Sequence, residues 1–150
     1  MRFAGIVAIV ALFLSGCGNP PAPPTPPDAT KEAWYGQTVA QLSTLTREAD
    51  ELFRSGKPDA AAALIQKGEP LSSQILAVLH PTLPAMEAAG DLDDLYGRML
   101  VSNRHYTWAQ TFFQKNRARW KYWQPQTPDT ARRMQLAEAE IAECEKHLGQ

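Results

Sequence analysis

From residue 34 onward, apolar side chains recur at intervals of three and four, the spacing of a helix with one buried face. Trp34, Thr38, Leu42, Leu45, Ala49 and Leu52 form the first such face. Ser55-Gly56 stops that helix, and Pro58 suits the first turn of the next. The second helix is expected to be short, with Ala61, Leu64 and Ile65 as its apolar side and Gly68 as its end. Pro70 opens a third through Leu71, Ile75, Leu76, Val78 and Leu79, stopped at His80-Pro81. A short element over residues 83–89 closes at Gly90. Asp91, Asp93 and Asp94 then begin a helix running to about Asn103, where the helix dipole favours acids at the start. After a turn at residues 104–107, a further helix spans 108–123 and ends at Gln124-Pro125. Thr127-Pro128-Asp129 combines an N-cap, a proline at the first helical position and a favourable acid. The last helix follows, with Ala131, Met134, Ala137, Ile141, Cys144 and Leu148 as its stripe. Strand-like alternation beyond a few residues is missing. The pattern predicts an all-α fold of antiparallel helix pairs, a bundle of about five to six helices.

The first 27 residues follow other rules. Positions 3–14 are twelve uncharged, mostly apolar residues behind Arg2. That is the length of a signal-peptide core, whereas a membrane span takes about 17–25 residues. Leu14-Ser15-Gly16-Cys17 closes the run, and residues 18–27 read GNPPAPPTPP, with six prolines in ten positions and no charge. Proline fixes φ and removes a donor, which excludes helix and sheet and favours extended polyproline II. At about 3.1 Å per residue the stretch spaces a domain roughly 30 Å from its attachment point.

Residues 28–150 are enough for one domain with a real core. Without Arg2 the chain carries 14 basic and 16 acidic residues, a net charge near −2. That balance argues against a nucleic-acid partner, whose binding domains are strongly basic. Cys17 and Cys144 are the two cysteines. The histidines His80, His105 and His147 have no nucleophile or carboxylate at a recognisable catalytic spacing, and there is no glycine-rich phosphate loop. Asp91, Asp93 and Asp94 lack the further ligands and closing glutamate of an EF-hand. Cys144 and His147 are three apart, but Cys144 lies on an apolar stripe and reads as a small buried hydrophobe. No catalytic residue, metal or cofactor is expected.

Two resemblances follow from these residues. Arg2, the apolar run and Leu14-Ser15-Gly16-Cys17 resemble the signal peptide and lipobox of bacterial lipoproteins. That family implies cleavage after residue 16, acylation of Cys17 and no disulfide to Cys144. The resulting organisation is a signal peptide at 1–16, a lipidated cysteine and proline-rich linker at 17–27, and a helical domain at 28–150. Gly18 stands where the family's inner-membrane retention signal has aspartate. The resemblance therefore implies the periplasmic face of the outer membrane, or the cell membrane of an organism with only one. The second resemblance is to tetratricopeptide repeats. Tyr96-Gly97, Leu100, Tyr106, Ala109 and Phe113 match one repeat, and Ala49, Leu52, Gly56, Ala61 and Ile65 match it more faintly. Gly97 and Ala109 are small where two helix backbones approach, while Tyr106 and Phe113 fill the neighbouring groove. The two copies lie 48 residues apart instead of the family's 34, Asn116 replaces an alanine, and the closing proline is absent at Lys121.

Eight of the eleven aromatics beyond residue 17 lie between Tyr96 and Trp123. Between Leu95 and Pro128 there are six basic residues and no acid. At 100° per residue, Trp108, Ala109, Phe112, Phe113, Trp120 and Trp123 share an arc of about 140°. The end of this helix, Arg117, Arg119, Trp120, Lys121, Tyr122 and Trp123, is rich in the side chains that dominate binding hot spots. It is the expected partner-binding surface. The expected function is a non-catalytic envelope adaptor or assembly factor held by its lipid and engaging an envelope protein. The alternative is a module that binds an anionic envelope polymer or lipid headgroup.

Overall fold

The computed structural model describes residues 27–149. The expected signal peptide, Cys17 and all but the last residue of the expected linker lie outside the described residues. A single 3-10 turn at Ala29–Lys31 leads into five helices: α1 (Ala33–Arg54), α2 (Pro58–Leu76), α3 (Leu83–Ser102), α4 (Tyr106–Tyr122) and α5 (Pro128–Leu148). The fold is all-α, as the periodicity predicts. Connections of three to six residues force consecutive helices antiparallel. Each packs on its successor, and α3 also packs on α1 and α2. The phenol of Tyr35 accepts a hydrogen bond from the Thr82 amide at 3.1 Å, which joins the starts of α1 and α3. These two helices therefore run parallel, and the starts of α1, α3 and α5 share one end of the bundle.

Several boundaries differ from the periodic reading, each for a packing reason. α2 continues through Gly68 and Pro70, and α3 continues through Gly90 and the three aspartates. Gly68 is not a stop: a Cβ there would stand 3.1 Å from the Leu42 and Leu92 methyls, so its bareness lets α2 lie close against α1 and α3. Pro70 is exposed, and the carbonyl it leaves without a donor, that of Gln66, is on the solvent side as well. Gly90 likewise makes room, for the Trp120 ring at 3.0 Å and the Asn116 side chain at 3.1 Å. On α1 the buried residue of the first turn is Tyr35, and Trp34 is 37% exposed.

Where the sequence marks a cap or a crossing, the geometry follows. Thr127 caps α5 in a reciprocal box with Thr130: the Thr130 amide donates to Thr127 Oγ1 at 3.2 Å, and the Thr127 amide donates to Thr130 Oγ1 at 2.9 Å. Phe113 is 1% exposed and presses on Gly97, with its Cζ 2.7 Å from where a Cβ would stand. Two clusters make the core. The larger joins α1, α2 and α3 around Leu42, Ile65, Ile75, Leu92 and Leu95; the smaller joins α4 and α5 around Ala109, Phe113, Ile141 and Cys144.

Candidate functional site

The acid-free segment of α4 finds its counter-charge on α3. Arg119 Nη2 lies 2.7 Å from Asp93 Oδ2, with both side chains only 5–6% exposed. Lys115 Nζ reaches the other oxygen, Oδ1, at 2.9 Å. The Arg119 Nη1 group donates to Asn116 Oδ1, and Asn116 Nδ2 donates to the Gly90 carbonyl at 2.9 Å. Trp120, 1% exposed, is seated over Gly90, with the Arg133 guanidinium of α5 5.2 Å from its ring centre. Arg119 and Trp120 are thus interior, not partner-facing, and Asp93 is a buried counter-ion, not a helix-start residue. Asp91 pairs with Arg133 at 2.6 Å, and Asp94 pairs with Arg98 at 2.9 Å. One signal in the sequence pointed this way: three acids at 91–94 face a following stretch of basic residues with no acid of its own. Of the six residues expected to bind a partner, Arg117, Lys121 and Tyr122 remain exposed and Trp123 is half-buried. Lys121 Nζ lies 5.4 Å over the Tyr122 ring.

The aromatic arc of α4 divides. Ala109, Phe113 and Trp120 enter the core between α3 and α5, while Trp108 is 67% exposed and Phe112 is half-buried. Positions 108 and 112 share a stripe turned about 100° from 109 and 113. That stripe faces the gap between α4 and α2. There, Tyr96 and Leu100 of α3, with Trp108, Thr111 and Phe112 of α4, line a mostly apolar groove of ≈ 570 Å³ rimmed by Glu69 and His105. Tyr96 and Phe112 meet edge to face at 4.7 Å. The sequence reading missed this groove because it assigned Trp108 and Phe112 to the same buried arc as Phe113.

The opposite face, formed by α1, α3 and α5, is ionic. Arg98 bridges Asp94 and, at 3.1 Å, Asp50 of α1. Beside them sits Glu140 of α5, whose buried Oε2 has no donor among the described residues. Burial, then the neighbouring Asp94 carboxylate, pushes Glu140 up to about 8, against the pull of Arg98. A proton on the acid supplies the donor that two carboxylates lack. Because folding raises this pKa above 4.5, the contribution is complete below about pH 4.5 and is lost as pH rises through about 8. Glu140→Gln keeps a donor and cannot ionise. It is expected to stabilise the domain at pH 8.5 by about 1–2 kcal/mol, discounted for partial exposure, and to change little at pH 4.5. Urea unfolding at the two pH values reads the difference.

The groups weighed for chemistry have structural places. Cys144 is fully buried, and burial pushes its thiol up, away from the thiolate. His147 stacks on Tyr106 at 4.2 Å and pairs with Glu143 at 3.4 Å. Among the described residues no three His, Cys, Asp or Glu side chains converge as metal ligands, and no helix is long and apolar enough to cross a membrane. Compared with protein-family models, curated proteins and solved structures, the chain matches none.

Proposed function

We propose that this chain is a lipid-anchored envelope protein acting without catalysis, as an adaptor or assembly factor that holds a segment of another envelope protein. The anchor rests on the resemblance of Leu14-Ser15-Gly16-Cys17 to a lipobox, with Gly18 favouring the outer membrane's periplasmic face. The interaction reading rests on one observation, the groove beside Trp108. Its lining is aromatic and aliphatic, and a 67% exposed tryptophan stands at its edge. Such a groove suits the apolar face of an amphipathic helix or an extended apolar segment. Burying Trp108 contributes about 2–4 kcal/mol to such a complex, so truncation to serine is expected to weaken it about 100-fold.

The test is a photo-reactive residue at position 108 in the full-length chain, expressed in its own envelope. The expected result is one dominant protein adduct, lost when Leu100 is changed to Asp in a variant of unchanged helix content. Labelling at position 108 no greater than at exposed Gln135 on α5 overturns the reading.

A further inference from the structure

We infer that the end of the bundle from which the N-terminal chain departs lies against an anionic lipid surface. This inference rests on the lipid-anchor reading of Cys17. Cys17 and Pro27 are ten residue steps apart, a reach of about 35 Å at full extension, so an acylated Cys17 keeps this end within that distance of the bilayer.

The two ends of the bundle both carry basic groups without an ion pair among the described residues, Lys57 and Arg104 at the far end, and differ in how many large apolar side chains they expose. At the anchor end lie the start of α1, the connection from α2 to α3, and the connection from α4 to α5. The Tyr35–Thr82 hydrogen bond joins the first two. Asn116 and Trp120 against Gly90 bring the last turns of α4 to the first half of α3. Three of the five large hydrophobics exposed among the described residues sit here: Leu79 at 87%, Tyr122 at 74% and Trp34 at 37%. Trp123, half-buried, caps α4 beside them. The far end holds the turns at residues 55–57 and 103–105 and the last turn of α5. Its one large exposed apolar side chain among the described residues, Trp108 in the first turn of α4, borders the groove already described, and Leu148 is half-buried.

The charges complete the picture. Asp28 pairs with Lys31, and Asp129 pairs with Arg132. Arg117 and Lys121 form no ion pair among the described residues and stand exposed, Lys121 with its Nζ 5.4 Å over the Tyr122 ring. Glu32 is the acid of this end without a partner among the described residues. Tryptophan, tyrosine and leucine beside unpaired basic groups is the side-chain set that partitions into the headgroup layer of anionic membranes. The set is spread over three separate segments and forms no pocket. An extended surface can touch all of it, whereas a small ligand cannot. This placement also leaves the Trp108 groove on a lateral face toward the far end, open to a protein partner.

The experiment uses the protein purified with its lipid and reconstituted into vesicles of equal parts phosphatidylglycerol and phosphatidylcholine. The lipids carry bromine on their acyl chains, and the readout is tryptophan fluorescence. Bromine is expected to quench the wild-type signal. Trp34→Phe with Trp123→Phe should reduce the quenched fraction at least twofold, and Trp108→Phe should leave the quenched intensity unchanged. A second variant, Leu79→Glu with Tyr122→Ser, alters only side chains more than 70% exposed and should give the same loss with unchanged helix content. Quenching that survives both variants, or that is equal in pure phosphatidylcholine vesicles, overturns the proposal. The intact mass is measured separately. An unacylated Cys17 overturns the anchor reading and the inference with it, whereas acylation without quenching overturns the inference alone.

Discussion

Asp93→Ala is expected to destabilise the domain by about 3–5 kcal/mol, because it leaves the Arg119 guanidinium buried with no counter-charge. Asp93 is buried, and its carboxylate accepts from Arg119 and Lys115 together. Lys115 is half-exposed and can return to water. Arg119 cannot do so without pulling away from Asn116 and opening the contact of α4 with α3. The double variant Asp93→Ala with Arg119→Met removes both charges and keeps much of the apolar stem. It should recover at least half of the loss, since replacing a whole buried pair is far less costly than removing one member. Urea denaturation of the four members of this cycle measures the coupling. A coupling below about 0.5 kcal/mol would mean that the two residues act independently.

The second large effect is steric. Gly97→Ala ordinarily favours a helix by about 1 kcal/mol. Here the new methyl enters the Phe113 ring, whose Cζ and Cδ1 lie 2.7 and 3.0 Å from the ideal Cβ position. Phe113 is 1% exposed between α3 and α5, so shifting the ring toward the cleft it lines with Val101 and Glu140 sacrifices its packing against α5. The net result is expected to be a loss of about 2–3 kcal/mol. Gly36, also helical, has no atom within 4 Å of its Cβ position, so Gly36→Ala should stabilise the protein by up to about 1 kcal/mol. Thermal unfolding of the two variants side by side should show shifts of opposite sign. Adding Phe113→Leu to Gly97→Ala should relieve the clash while incurring its own smaller cavity cost.

Much of this fold is legible along the chain. Thr127-Pro128-Asp129 marks the start of α5 because capping depends on side chains that reach only two or three residues. The apolar stripes of α1 and α5 identify their buried faces to within one position. Gly97 and Ala109 read as small residues where two helix backbones approach, whereas the seating of the Phe113 ring on Gly97 is a contact between helices that the sequence reading did not pair. Local readings fail where a residue serves a neighbour distant in sequence. Gly68, Pro70 and Gly90 carry the marks of helix ends, yet α2 and α3 run through them. Packing against neighbouring helices outweighs the ~1–3 kcal/mol that glycine and proline cost a helix.

The candidate site divides in the same way. That α4 carries an unusual load of aromatic and basic side chains is a property of composition alone. Which of them meet solvent depends on how α4 turns against α3 and α5, a rotation that no periodicity measured on α4 itself can set. Arg119 went inward because Asp93 stands 26 residues earlier on the helix it crosses, and Trp120 because Gly90 leaves a space for its ring. Trp108 stayed outside because α2 packs on α1 and α3 and not closely on α4, which leaves the groove. The amino-acid sequence alone determined the helical class, the α5 cap and the apolar stripes, since each depends on residues within one or two turns of one another. Only the tertiary structure decided helix continuity, the buried ion pair and which of the large apolar side chains stayed exposed. Those features depend on contacts between segments 20 to 50 residues apart, where volume and charge are matched in space rather than along the chain.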